Sequence, residues 1–332
     1  MSFENIIGQE TAKKILQGFL KRKIFNRTFL FYGPQGIGKF TTALVFSQGI
    51  NCLNLNDNNP CFNCRACLLI GNLKHPDLLV IDGSINANIK IEDSFKVHDF
   101  ARTLPLEGKF KIVIIRDAHH FTTEAANNLL KILEDLPEYL TVILISSHPH
   151  LLLSTILSRA VKVQFFSLSQ EQIELFLLGN YEITEGRAHL LSGLSLGSLG
   201  KAIDYISGDS FINMRKSVID YLYFLKNNRL VDAFTNLGIQ DKDSREESLK
   251  KLEILSLLVR DLLMYSAGYS HLMINIDLER DIKEICEGLD FEVIQECLSF
   301  IVSSIKSTTD YNVNPTLFWD KITIKIKDYI YA

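Results

Sequence analysis

The sequence has 332 residues, a length that argues for two or three domains rather than one core. Apolar residues make up 47% and charged ones 22%, which excludes a disordered or fibrous chain. The formal charge of −4 argues against a dedicated nucleic-acid binder, because neutralising phosphates needs a surplus of Lys and Arg; a local basic patch stays open.

The opening residues MSFENIIGQE show no basic segment ahead of an apolar run, so no secretory signal is expected. The most apolar stretch, YLTVILISSHPHLLLSTILSRA, is broken by His148, Pro149, His150 and Arg159, short of the ~20 apolar residues of a membrane span. A cytosolic protein is expected. In a reducing compartment its six cysteines are thiols or metal ligands sooner than disulfides.

In chain order, a helical pattern TAKKILQGFLKR leads to the short apolar run TFLFY (28–32) and a glycine-rich turn. Further apolar runs follow at DLLVID (77–82), KIVIIRD (111–117), LTVILISS (140–147) and VKVQFF (161–166), with the helical pattern TTEAANNLLKILEDL before the fourth. Strands apolar on both faces suit a parallel sheet covered by helices, so an α/β layered domain is predicted for 1–166. From about 167 onward the apolar spacing is helical, which predicts a helical lid over 167–208 and a helical bundle over 209–332. Gly193, Gly197 and Gly200 are expected to separate helices, and GDS at 208–210 to form a hinge. No internal repeat is evident.

The turn after the first strand, FYGPQGIGKFTTALVF, nearly matches the P-loop pattern G-x-x-x-x-G-K-[ST]. Gly33, Gly36 and Gly38 keep the phosphate cradle, which depends on backbone N–H groups and a helix N-terminus, and Lys39 can reach a phosphate. Phe40 stands where a hydroxyl would hold Mg²⁺, and Thr41 is turned away by ~100° on a helix. After the third strand, where a metal-holding Asp and a second acid belong, come Arg116 and Asp117, and an Arg there repels a metal ion. Nucleotide binding is left open and metal-assisted hydrolysis is not expected. The plainer alternative is a glycine turn with no nucleotide role.

Cys52, Cys61, Cys64 and Cys67 form a C-x8-C-x2-C-x2-C array. Four thiolates close a tetrahedral Zn²⁺ shell with no open position, which points to a structural site; four incidental buried thiols are the alternative. Cys286 and Cys297 fall in helical patterns and are expected in a core. His119 and His120 have no evident partner and are expected in a solvated loop.

Taken together, IIGQE (6–10), the P-loop, the four cysteines after its helix, DAHHFTTEAANNLLKILEDLP (117–137), SSHP (146–149) and LSRA (157–160) resemble the bacterial clamp-loader AAA+ proteins of DNA polymerase III. NVNPTLFWDKI near the end is similar to that family's last collar helix. The resemblance implies a RecA-like AAA+ core, a helical lid and an all-α collar through which subunits assemble. Its ATP-hydrolysing gamma/tau member carries a hydroxyl after the P-loop Lys, Asp-Glu after the third strand and an Arg in the lid. Here those positions hold Phe40, Arg116-Asp117 and Gly200, which matches a non-hydrolysing stator. Ser158-Arg159 matches the S-R-C motif, with Ala160 for Cys, so the resemblance implies that Arg159 acts in trans on a neighbour's ATP. Asp117, Lys131 and Ser147 match functional segments of the family. The implied partners are gamma/tau and delta subunits and, through the complex, the sliding clamp and primed DNA. Two other readings compete: a gamma/tau-type motor, which would turn over ATP alone, and a zinc-dependent nucleic-acid-binding module.

Overall fold

The computed structural model describes residues 3–83, 88–206, 209–237, 245–310 and 315–331. The chain divides into two compact units, Met1–Phe176 with Leu196–Lys201, and Leu177–Ser195 with Ala202–Ala332.

The first unit is built on five strands, β1 (Thr28–Tyr32), β2 (Leu78–Asp82), β3 (Lys111–Arg116), β4 (Leu140–Ser146) and β5 (Ala160–Gln164). They form one parallel sheet in the order β2-β3-β4-β1-β5. Each corresponds to one of the five apolar runs in the sequence. Alternate residues of a strand face opposite sides, and the core divides accordingly. Phe29, Phe31, Ile112, Ile114, Ile143 and Ile145 pack on one face with residues of α1 (Glu10–Arg22) and α2 (Lys39–Asn51). Leu30, Val113, Ile115, Val142 and Leu144 pack on the other. That face is covered by α4 (Ile91–Arg102), α5 (Thr123–Glu134) and the single turn α6 (Ser154–Leu157). A short helix, α3 (Arg65–Gly71), carries the end of the cysteine array. Helix α5 starts where Thr122 accepts the Ala125 N–H at 3.2 Å, a side-chain N-cap, and buries Ala125, Ala126, Leu129, Ile132 and Leu133 along one stripe.

Beyond the sheet the chain is helical: α7 (Gln170–Asn180), α8 (Glu185–Leu194), α9 (Leu199–Ile206), α10 (Asp209–Lys226), α11 (Leu230–Leu237), α12 (Arg245–Ser266), α13 (Glu279–Cys286), α14 (Phe291–Asp310) and α15 (Pro315–Tyr331). One apolar cluster, including Tyr221, Leu255, Leu258, Ile301 and Trp319, forms the core of the second unit. Cys286 and Cys297 belong to it, as their helical spacing predicts. The glycine reading needs correction. Gly193 lies within α8 and Gly200 within α9; of the three, only Gly197, at φ +83°, sits between helices. Gly208 lies outside the described residues, while Asp209 and Ser210 open α10. No helix among the described residues is long and apolar enough to cross a membrane.

Candidate functional site

The P-loop joins β1 to α2 at the carboxyl end of the sheet, where open α/β sheets place their ligand crevice. Gly33, Gly36 and Gly38 all have positive φ. At Gly33 the requirement is steric as well: a Cβ would lie 2.2 Å from the Phe165 carbonyl oxygen. The Lys39 ammonium turns back on its own loop, donating to the carbonyls of Gly33, at 2.6 Å, and Pro34. Burial pushes Lys39 down to about 8, with Asp117 pulling the other way.

Beside the loop, the two residues that depart from the P-loop pattern touch one another. The Arg116 guanidinium carbon lies 4.5 Å from the centre of the Phe40 ring, and Arg116 also pairs with Asp82, its register partner on β2. Phe40 and Arg116, two separate departures in the sequence, are one contact in the structure. Asp117 adopts a left-handed backbone, φ 49°, at the start of the 3-10 turn Ala118–His120.

The loop is also roofed. The N–H of Gly200 donates to the Gly36 carbonyl at 2.8 Å, and a Cβ on Gly36 would lie 2.2 Å from the Ser198 hydroxyl. Gly200, read from sequence as a missing lid arginine, thus lets the α9 backbone rest on the P-loop apex. A further clamp comes from Gln9 of the IIGQE motif, which donates to the Phe166 carbonyl at 2.7 Å and accepts its N–H at 3.0 Å.

The histidine expectation is overturned. His119 is not in a solvated loop: its ring centre lies 4.3 Å from that of His120 and 4.9 Å from that of His148, which is 5.8 Å from His150. Burial pushes His119 down to about 4, and neighbouring His120, His148, Lys39 and His150 add repulsion against its charge. His120 meets the Gly83 carbonyl at 3.1 Å through Nδ1. Ser147 is engaged locally, its hydroxyl 3.0 Å from His148 Nδ1, and Lys131 is exposed on α5. The pairing of AHH (118–120) with HPH (148–150) was the available signal, because each follows one of two adjacent strands.

Cys52, Cys61, Cys64 and Cys67 come together with their sulfurs all within 4.8 Å of one another. Among the described residues this is the only group of three or more His, Cys, Asp or Glu side chains so placed. Backbone N–H groups point at the sulfurs, Cys61 to Cys52 Sγ at 3.2 Å and Cys64 to Cys61 Sγ at 3.3 Å. Burial pushes the Cys61 thiol up, but N–H donors from Asn63 and Cys64 with the neighbouring thiols outweigh it and bring it down to about 6. Such a donor set fits a thiolate-bound ion.

Arg159 lies past α6 with its side chain partly exposed. Its guanidinium donates to the Thr155 carbonyl and to the Glu134 carboxylate, both at 3.0 Å.

A five-stranded parallel sheet with helices on both faces, a P-loop after β1 and a helical region beyond it defines a RecA-like AAA+ core with an all-α extension. The chain belongs to the DNA polymerase III clamp-loader subunit family. Residues 8–169 match the family described as DNA polymerase III, delta subunit, and residues 210–327 match its C-terminal counterpart. The chain is 30% identical to the delta' subunit of Bacillus subtilis over 282 residues, covering 83% of each chain. It is 26% identical to the B. subtilis tau subunit over 98% of its own length but 61% of that protein's. It spans only 25% of the Haemophilus influenzae tau/gamma subunit, with 33% identity over the aligned part. A gamma-subunit-related protein from Thermotoga maritima has the same fold, with a TM-score of 0.52 at 17% identity, covering 96% of this chain and 99% of that one.

Proposed function

We propose that this chain is a delta-prime subunit: a stator that assembles with gamma/tau and delta to load a sliding clamp onto primed DNA in the cytoplasm, and that turns over no ATP by itself. The observation that carries this reading is the metal corner of the P-loop. Phe40 and Arg116 stack where a hydroxyl and an acid would hold Mg²⁺, and phosphoryl transfer in P-loop proteins depends on that ion. Gly200 on Gly36 supports the same reading, since the lid supplies a backbone contact in place of an arginine.

What remains for this subunit to do chemically falls to Arg159, whose partly exposed guanidinium is suited to reach the ATP phosphates of an adjoining subunit. The Zn²⁺ reading assigns Cys52, Cys61, Cys64 and Cys67 as its ligands, where the ion would cross-link the turn after α2 to α3. The three-part division into core (1–166), lid (167–208) and collar (209–332) is part of the proposal, with the collar as the assembly surface.

The test is Arg159→Ala in a clamp loader reconstituted from full chains. The variant should assemble and melt like the wild type and load clamps poorly, because a trans-acting Arg can change turnover by roughly 10³- to 10⁵-fold at its site. A complex that loads at the wild-type rate across ATP concentrations would remove Arg159 from the mechanism. The match to tau over 98% of the chain keeps the motor reading as the competitor. Steady phosphate release from the isolated chain, abolished by Lys39→Ala, would establish it instead.

A further inference from the structure

We propose that Glu134 is the positioning residue for Arg159, an inference that rests on the trans-acting role given to Arg159 above. The two side chains stand on elements fixed by the same core. Glu134 is the last residue of α5, directly after Leu133, and Leu133 packs in one apolar cluster with Leu129 and with Ile156 of α6. The chain then leaves α6 through tight backbone contacts, Ser158 N–H to the Ser154 carbonyl at 3.0 Å and Arg159 N–H to the Ile156 carbonyl at 3.2 Å. Both side chains therefore hang from rigid attachment points.

The guanidinium is gripped at two places. One Nη1–H goes to the Thr155 carbonyl and one Nη2–H to Glu134 Oε1, both at 3.0 Å. A guanidinium has five N–H donors in a plane, so three remain for an acceptor that is not part of this gripping set. The pair adds little to stability, since the Arg159 and Glu134 side chains are 37% and 56% exposed and water screens them. What it supplies is orientation. A free Arg samples many rotamers, and an approaching phosphate would have to select one; here the plane is already set by a backbone carbonyl and a carboxylate. Thr155 offers only a main-chain oxygen on Arg159's own turn. Glu134 is thus the contact from a second element, and it defines the direction.

The consequence is separable from charge. Glu134→Gln keeps an oxygen in place to accept the Nη2–H, whereas Glu134→Ala removes it. In a clamp loader reconstituted from full chains, we expect Glu134→Ala to lower the maximal loading rate by about tenfold, a loose guanidinium being a mispositioned one. The ATP concentration for half-maximal rate should not move, and neither should the melting temperature of the isolated chain. Glu134→Gln should restore most of the rate, and Glu134→Ala with Arg159→Ala should be no slower than Arg159→Ala alone. A Glu134→Ala complex at full speed beside a slow Arg159→Ala complex overturns the positioning role and leaves the reading of Arg159 standing. Faster loading by both Glu134 variants overturns it too, making the carboxylate a restraint. If Arg159→Ala itself loads at the wild-type rate, both inferences fall together.

Discussion

Phe40 and Arg116 show how two departures from a sequence pattern become one contact. A bare Phe beside the P-loop Lys would expose a ring in a polar crevice, and a bare Arg at the end of β3 would leave a cation against the sheet end. Stacked at 4.5 Å and tied to Asp82, each gives the other a partner. A cation–π contact of this kind contributes about 0.5–1 kcal/mol. Phe40→Thr should therefore lower stability by about 1 kcal/mol in a denaturant melt without giving the isolated chain ATP turnover, because Arg116 stays with Asp82. ATP hydrolysis by that single variant would show that the hydroxyl alone had been missing. Lys39 carries the opposite sign. Its folded value of about 8 lies below the ordinary 10.5, so between those pH values the unfolded chain holds a proton that the folded chain has lost. Stability contributed through Lys39 therefore rises with pH across that window, and below it the buried ammonium is a cost. Lys39→Met should raise the unfolding free energy at pH 7 by an amount on the order of 1 kcal/mol, seen as a higher melting temperature, with the gain shrinking from pH 8 toward 10.5. A gain that is the same at pH 7 and pH 10 would rule out the burial of the ammonium as its cause.

At the scale of elements, the strands were legible because a parallel sheet covered on both faces writes itself as unbroken apolar runs, and all five appear within a residue or two of their predicted ends. Helix α5 was legible through its threonine cap and apolar stripe. The cysteine array was legible because two-residue gaps need only local chain to bring sulfurs together. What sequence could not give were contacts between segments far apart in the chain: Gly36 with Gly200, Arg116 with Phe40, and His119 with His148. Gly193 was misread for a related reason, since a helical glycine and a helix-breaking one look alike until the packing of α8, where Gly193 is buried, is known. The Gly36 contact yields a prediction. An alanine there would hold a φ of +73°, costing about 1–2 kcal/mol, and its Cβ would press on the Ser198 hydroxyl at 2.2 Å. Gly36→Ala should be destabilised by at least that amount, and Ser198→Ala added to it should recover the packing part while leaving the backbone part. If Ser198→Ala recovers nothing, the roof over the P-loop is not in contact as described.

Across the whole molecule, the cores are separate. The two clusters flanking the sheet draw on buried residues within 3–165, and the helical cluster on buried residues within 218–326, so each unit has a core of its own. Units with their own cores need not melt as one, and a chain of this size commonly departs from two-state behaviour. The cysteine array lies wholly in the first unit, beside α2, whose Phe46 and Ile50 are in the sheet core. Structural zinc sites contribute apparent binding free energies of roughly 10–16 kcal/mol, which makes metal removal a probe that acts on one unit alone. Calorimetry of the purified chain should then show two transitions. Elemental analysis under reducing conditions should find one zinc per chain, and stripping it with a chelator, or replacing Cys64 by Ser, should lower one transition by many degrees while the other keeps its midpoint and enthalpy. Zinc far below one per chain would dismiss the metal and leave the cysteines as a thiol cluster. A single transition that moves as a whole on chelation would mean that the units are energetically coupled despite their separate cores, and that the ion stabilises the entire chain.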